Sequence, residues 1–428
     1  RRNKKFVSGN SLYNSYVSEQ CKNIPALQRL LASASDNNLV LDISTIQLLV
    51  ADCALHLFLS KNNTHINANT NLLLGFLVNE LSIGEYDCLI SELIDDTDSA
   101  ISFCKENPLL FNMEYIYEAD EDILGLIYIS CKNIGNRKAT GSYYTSTRVV
   151  KNLISRLSFQ EPVKVLDPCC GTGNFLLQLP DVLPFDSIYG NDIDAVSVKI
   201  TRLNMALKYN VPVTAIYEHI TEQDYLTDYA EKDFQYIIGN PPWGYDFSEE
   251  ELSHLRTIYK SATGKTIESY DVFIEQALNH LTANGHLAYV LPEAILNVKA
   301  HTNIRKTILE NCSIKNLVFL GNAFDGVQCP CIILDLQCTR SPLSTVGMNV
   351  NTGTDSFTIN IERTVSDEYF SFTTSDAEYN IMCKIKNMPN SAYLRGNADF
   401  ALGIVTGNNK EYISDIKNDN NEMILKGA

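Results

Sequence analysis

The sequence predicts an α/β protein: a mostly parallel, seven-stranded sheet with helices on both faces, preceded by a helical region and followed by a third region of different texture. Three observations point there. Strand-like runs at 163–167, 187–191, 213–217, 234–239, 286–291, 314–320 and 330–336 alternate with helix-like runs at 194–209, 270–283 and 301–311. Such alternation marks a sheet covered by crossover helices. Two of the runs, ending at Leu166-Asp167 and at Ile238-Gly239-Asn240, stop abruptly at small and polar residues. Buried parallel strands read this way where they deliver functional groups at their carboxyl ends. Finally, 428 residues with 45% hydrophobic side chains exceed one ordinary domain and supply real cores.

The totals exclude several classes. No apolar run is expected to reach the roughly 18 residues of a membrane span, and no signal peptide opens the chain. It begins Arg1-Arg2-Asn3-Lys4-Lys5 without Met, which predicts a trimmed product or a fragment. The 12 cysteines are scattered. Neither Cys169-Cys170 nor Cys329-Pro330-Cys331 has zinc-ligand spacing, and the seven histidines form no ligand pattern. Free thiols in a reducing cytoplasm, with no metal, are the expectation. The net charge of −17 argues against a polyanionic partner. A locally basic cleft, or a basic domain elsewhere, would reverse that.

Residues 1–135 read as a helical domain. Ile43, Ile46, Leu49, Val50, Cys53, Ala54, Leu57 and Phe58 share one helical face; Leu72–Leu77 is a denser apolar run; Ile123–Ile129 fits helix or strand. Asp42 and Asp120 are candidate helix starts. No catalytic pattern appears, and no acid is followed by the Glu-x-Lys strand of a nuclease. A polar link, Asn136–Tyr144, leads to a helix at 146–157 that Thr145 or Ser146 caps. The sheet domain spans 136–345. Thr/Ser/Asp-rich β-like pieces follow over 346–428, a domain expected to be cut short at Leu425-Lys426-Gly427-Ala428.

Two stretches carry chemistry. Asp167-Pro168-Cys169-Cys170-Gly171-Thr172-Gly173-Asn174-Phe175 joins a strand to a helix. Its glycines let backbone approach a ligand closely. It is neither a dinucleotide fingerprint nor a phosphate loop. Gly264-Lys265-Thr266 resembles the end of a phosphate loop but lacks the first glycine and the strand. The next strand ends at Asp192, about twenty residues on, where a carboxylate accepts ribose hydroxyls. Asp192 or Asp194 could instead cap the following helix. Asp224, with Tyr225 beside it, is placed to accept from an adenine amino group, or is a solvated loop acid.

Asn240-Pro241-Pro242-Trp243 is the most specific signal. Two prolines fix backbone direction, so the Pro241 carbonyl and the Asn240 side chain offer two acceptors side by side. They suit a planar amino group, whose lone pair is freed when both hydrogens are accepted. Trp243, the only Trp, offers a stacking face; the bland alternative is a strand-ending turn with a core Trp.

Together these residues resemble the S-adenosylmethionine-dependent amino-methyltransferases, and within them the TaqI-like (gamma-class) N6-adenine DNA methyltransferases of restriction–modification systems. The resemblance runs from about Leu124 to Leu336. It implies that Thr140, Gly141, Tyr144 and Thr145, in Thr-Gly-Ser-Tyr-Tyr-Thr, line the methionine part of the cofactor. Asp167, Pro168, Gly171, Gly173 and Phe175 form the cofactor loop, with Asp192, Asp224 and Tyr225 on the nucleoside. Asn240–Trp243 is catalytic, and Phe324 either helps hold an extruded base or is core. Gly403–Lys410 resembles the opening of a target-recognition domain. The implied partners are double-stranded DNA and a separate or fused specificity or nuclease component. Protein glutamine N5-methylation, RNA base methylation and a non-catalytic specificity subunit are the competing functions.

Overall fold

Helix starts organise the first hundred residues of the computed structural model. It describes residues 16–132 except 38, 40 and 65–70; 145–159; 163–263; 267–323; 329–368; and 370–416 except 393, 395, 399–412 and 415. The helices are α1 (Ile24–Asp36), α2 (Ile43–Lys61), α3 (Leu72–Leu77), α4 (Asp87–Ser91), α5 (Thr97–Glu106) and α6 (Ile123–Cys131). Asp42, Asn71, Asp96 and Asp122 each accept a backbone N–H of the first turn they precede, satisfying one orphan donor. The expected cap Asp120 is displaced by Asp122: Asp120 turns at φ +63 and pairs with Lys208 at 3.1 Å.

The run at Ile123–Ile129 is helical and buried on all sides. So is α2, which passes for a membrane-crossing helix by length and average composition only. Most of it lies inside the protein, and it carries buried Asp52 and His56. Here it is the central core helix.

The sheet follows the predicted alternation. Its elements are α7 (Thr147–Ile154), β1 (Val165–Asp167), α8 (Asn174–Leu177), β2 (Ile188–Asp192), α9 (Ala195–Tyr209), α10 (Val213–His219), β3 (Ile220–Glu222), β4 (Phe234–Gly239), α11 (Glu249–Ile258), α12 (Ser269–His280), β5 (Leu281–Pro292), α13 (Thr302–Asn311), β6 (Ser313–Gly321), β7 (Cys331–Gln337), β8 (Asn349–Asn351) and β9 (Ser356–Thr358). Ser146 supplies the cap of α7, accepting from Val149 N.

Two expectations are corrected. Residues 213–217 are helical, and the strand follows at Ile220. Val213, Thr214 and Ile216 favour strands, but Pro212 needs no donor at a helix entrance, and Ile216 buries against the sheet. Among the described residues the sheet has nine strands rather than seven, in the order β3-β2-β1-β4-β5-β7-β6-β8-β9. The first five are parallel; β7 runs antiparallel between β5 and β6. The two extra strands, β8 and β9, come from the region placed after 345 and extend the edge beyond β6.

By packing, residues 1–376 form one unit and 377–428 another. The N-terminal helices and the β8–β9 hairpin both belong to the first. The second contains most of α14 (Asp376–Lys386), none of whose residues is buried. All 12 cysteines are free thiols.

Candidate active site

The two chemical stretches meet because β1 and β4 are neighbours, with Leu166 opposite Ile237. After β1 the chain moves out through β2 to β3, then returns to lay β4 on the other side of β1. Strand order therefore reverses between β1 and β4, and a crevice opens beyond their carboxyl ends. A cavity of about 190 Å³ occupies it. Of the expected residues, Thr145, Pro168, Gly171, Phe175, Asp192, Asp224, Tyr225, Asn240 and Pro242 line that cavity. Thr140, Gly141, Tyr144, Phe324, Gly264–Thr266 and 403–410 lie outside the described residues.

On the β1 side, Gly171 and Gly173 both take left-handed φ values, 53° and 92°. The turn is held from β2. The Asp192 carboxylate accepts from Gly171 N at 2.8 Å and from Asp194 N at 2.9 Å. Burial pushes Asp192 up to about 6 against those two N–H donors, and the Asp194 charge pushes it the same way. Asp194 stands at the helix entrance but receives the Ser197 and Tyr128 hydroxyls rather than a backbone donor.

Asp167 does not line the cavity. It is fully buried between the strand ends, with Oδ1 accepting from Cys169 N and Oδ2 without a hydrogen-bond partner among the described residues. Burial holds it well above the usual carboxylate range. It also explains Gly239: a Cβ there would sit 2.6 Å from Asp167 Oδ1, on a backbone at φ +143. Only glycine lets β4 pass this carboxyl on its way to Asn240.

On the β4 side, Asn240 is partly exposed to the cavity, while Trp243 is 7% exposed and outside the lining. The corner is tied from α12: Ser269 Oγ donates to the Pro242 carbonyl. The start of α12 is fixed in turn by a buried chain, Tyr270 hydroxyl to His301 Nε2 at 2.8 Å and His301 Nδ1 to Asp271 at 2.9 Å. Removing the Ser269 hydroxyl frees one carbonyl and lets the corner shift. We expect Ser269→Ala to lower turnover roughly ten- to a hundredfold, as small misplacements do, with cofactor affinity retained. Steady-state kinetics beside calorimetry checks this; unchanged turnover would remove Ser269 from the positioning of the corner.

Sequence reasoning missed Tyr16, Thr172, Tyr245, Phe247, Ser269 and Phe273, which also line the cavity. Tyr245 and Phe247 stand edge to face at 4.9 Å just past the Asn-Pro-Pro-Trp corner, and Tyr225 packs on Phe273 at 5.5 Å. Thr172 had a local signal in its place between the two loop glycines, and Tyr245 and Phe247 in theirs directly after the corner; Tyr16, Ser269 and Phe273 had none.

The lining has a definite chemical character. It includes four carboxylates, Asp192, Asp194, Asp224 and Glu251, and among the described residues no Lys or Arg. A phosphorylated nucleotide would meet uncompensated repulsion there. A nucleoside with free hydroxyls and a positively charged side chain fits, with Phe175, Phe247 and Phe273 as its apolar walls. S-adenosylmethionine has that constitution.

The N-6 DNA methylase family model matches residues 119–364, more than half of the chain. The chain belongs to the N-6 DNA methylase family. Among its relatives, the type II methyltransferase M.VspI of Vibrio sp. (strain 343) is 28% identical over 310 residues, 71% of this chain and 74% of that protein. The type II methyltransferase M.CvrRI of Paramecium bursaria Chlorella virus XZ-6E is 30% identical over 166 residues, 39% of this chain and 40% of that one. A modification subunit of a putative type I restriction enzyme from Vibrio vulnificus YJ016 shares the fold at 14% identity and a TM-score of 0.51, over 88% of this chain and 91% of that one. As a family member the chain is a DNA methyltransferase that uses S-adenosylmethionine. That settles the partner against the expectation from net charge.

Proposed function

We propose that this N-6 DNA methylase transfers a methyl group from S-adenosylmethionine to the N6 amino group of an adenine swung out of a specific duplex DNA site. It would act as the modification part of a restriction–modification system in the cytoplasm, and of the TaqI-like gamma class. The observation that carries this is a single cavity shared by the glycine turn after β1 and by Asn240 and Pro242 after β4. Donor and acceptor ends are thus open to one another, which a glutamine-directed or base-directed transfer equally needs; family membership favours DNA.

S-adenosylmethionine, when bound, supplies an electrophilic methyl carbon on a sulfonium. The protein's part is orientation and charge. Ionised Asp192 accepts from ribose hydroxyls while holding Gly171 in place, and Asp224 accepts from the cofactor's adenine amino group beside Tyr225. Asn240 and the Pro241 carbonyl accept the two N6 hydrogens of the target. That would draw N6 towards tetrahedral geometry and aim its lone pair across the cavity at the methyl group the bound cofactor would supply, with the surplus N6 proton passing by way of the Asn240 or Pro241 oxygen to solvent. Extruding the base costs a few kcal/mol of stacking and pairing. Trp243 and Phe324 are assigned to offset it, which for Trp243 requires the corner to turn its ring outward when DNA binds.

We assign 1–135 as a helical domain, 136–345 as catalytic and 346–428 as the start of target recognition. A separate or C-terminally fused specificity or nuclease component completes the system. The expected outcome with the whole protein is labelled methyl on adenine in duplex DNA. Label on a glutamine-containing protein, and none on DNA, would reject the proposal.

A further inference from the structure

The helices before residue 132 carry no catalytic motif, yet one of their residues reaches the cofactor turn. Asp122, fully buried, caps α6 by accepting from Gly125 N at 2.8 Å. The same carboxylate accepts from the Asn204 amide at 2.7 Å and from the hydroxyls of Thr172 and Tyr16. Asn204 also donates to the Thr172 carbonyl at 2.8 Å. Four donors from four separate parts of the chain thus converge on one carboxyl group. Thr172 is the middle residue of Gly171-Thr172-Gly173, and both it and Tyr16 line the cavity. The fit leaves no slack: a Cβ on Gly125 would lie 2.0 Å from Asp122 Oδ2 and 2.4 Å from Thr172 Oγ1.

A cap needs one acceptor oxygen and one donor. It does not need a second, third and fourth donor drawn from α9, the glycine turn and residue 16. A buried carboxylate is costly unless its oxygens are filled, and here the chain fills them with the groups that shape the cofactor cavity. We infer that Tyr16 is a cofactor-contacting residue and Asp122 a positioning residue, so that the N-terminal helices complete the S-adenosylmethionine site by clamping Thr172 and closing the cavity with the Tyr16 ring. Tyr16 and Asp122 are therefore part of the donor site, so the N-terminal helices are not only a packing or interaction domain. The inference rests on the cofactor cavity proposed above.

The test uses the whole protein and four variants, Tyr16→Phe, Tyr16→Ala, Thr172→Val and Asp122→Asn, with S-adenosylmethionine affinity by calorimetry, DNA affinity, KM and kcat. Tyr16→Phe keeps the ring and loses one hydrogen bond to Asp122, so affinity should fall roughly three- to tenfold. Tyr16→Ala opens the cavity wall and should cost more. In both, the loss falls on KM for the cofactor more than on kcat, while the DNA Kd stays at the wild-type value. Tyr16→Phe with Thr172→Val should be less than multiplicative, because both act through Asp122. Asp122→Asn, which keeps the size, should lower cofactor affinity in the folded protein.

Wild-type cofactor affinity in Tyr16→Ala and Thr172→Val, with only a lower melting temperature, overturns the inference and leaves the network a purely structural clamp. Should the wild-type protein itself fail to bind S-adenosylmethionine, the cavity assignment falls instead. The two failures are therefore distinguishable.

Discussion

Asn240→Ala is expected to bring methyl transfer to background, a loss of roughly a hundred- to a thousandfold or more, comparable to deleting a preorganised polar group at a reacting centre. Cofactor affinity should stay within about twofold, because the interaction removed is made to the acceptor base and not the donor. The separation follows from the sheet. Asn240 leaves β4, whereas Asp192 and Gly171 are carried by β2 and the turn after β1. Side-chain truncation at Asn240 leaves the Gly239 backbone beside Asp167 untouched. Filter-bound label and calorimetry on one preparation give both numbers. Equal losses in the two would mean that the Asn-Pro-Pro-Trp corner holds the cofactor and that the chemistry lies elsewhere.

The second large effect belongs to Asp192. Its two oxygens accept from Gly171 N and Asp194 N, the residue lines the cavity, and the proposed function gives it the ribose. Asp192→Ala should weaken S-adenosylmethionine binding by roughly ten- to a hundredfold, the worth of hydrogen bonds to a charged group. Unchanged affinity would pass the ribose role to Asp194. A pH dependence accompanies it. Burial pushes Asp192 from its ordinary value of 3.8 up to about 6, so the folded protein holds this proton more tightly than the unfolded chain does.

Two signs follow. In the free protein, Asp192 binds more protons folded than unfolded between about 4 and 6, so its contribution to stability grows as pH falls through that window and is lost above it. Cofactor affinity moves the opposite way, since only the ionised carboxylate accepts both ribose hydroxyls; it should drop below pH 6. Asp192→Asn should flatten both profiles. A wild-type affinity that is level from pH 5 to 7.5 (on the order of the window a shifted carboxylate spans) would show that the group is not titrating against ligand.

Local pattern made most of the sheet legible. Phe234–Gly239 reads as a strand from its apolar run and its polar stop, and the structure places β4 over those residues. Asp192 follows from its spacing beyond the glycine turn and does lie in the cavity. Residues 213–217 failed because the β-branched bias of Val213 and Thr214 is worth less than packing Ile216 from a helix that Pro212 opens. The stretch after 345 read as β-like, but that Asn349–Asn351 and Ser356–Thr358 join this sheet was not legible, because both are short and lie at its edge, where alternation is weak.

The site contacts that went unseen are those that depend on long separations. Tyr16 meets Thr172 across 156 positions, and Ser269 meets Pro242 across 27. Nothing in the neighbourhood of Tyr16 distinguishes it from any other surface or core tyrosine. Net charge misled for a related reason: it sums over the molecule, while recognition depends on the field where the partner sits.

The position of β4 also bears on how the protein is made. β1 finds β2 soon after synthesis, but its other edge stays bare until residue 239 has left the ribosome. A nascent chain stopped anywhere between would present an unsatisfied strand, the template on which chains pair wrongly. Until that edge is filled, Asp167 has no β4 to press against and the cavity lacks the wall that begins at Asn240. Ligand binding during synthesis would then report a late event, after both that strand and the start of α12 are in place.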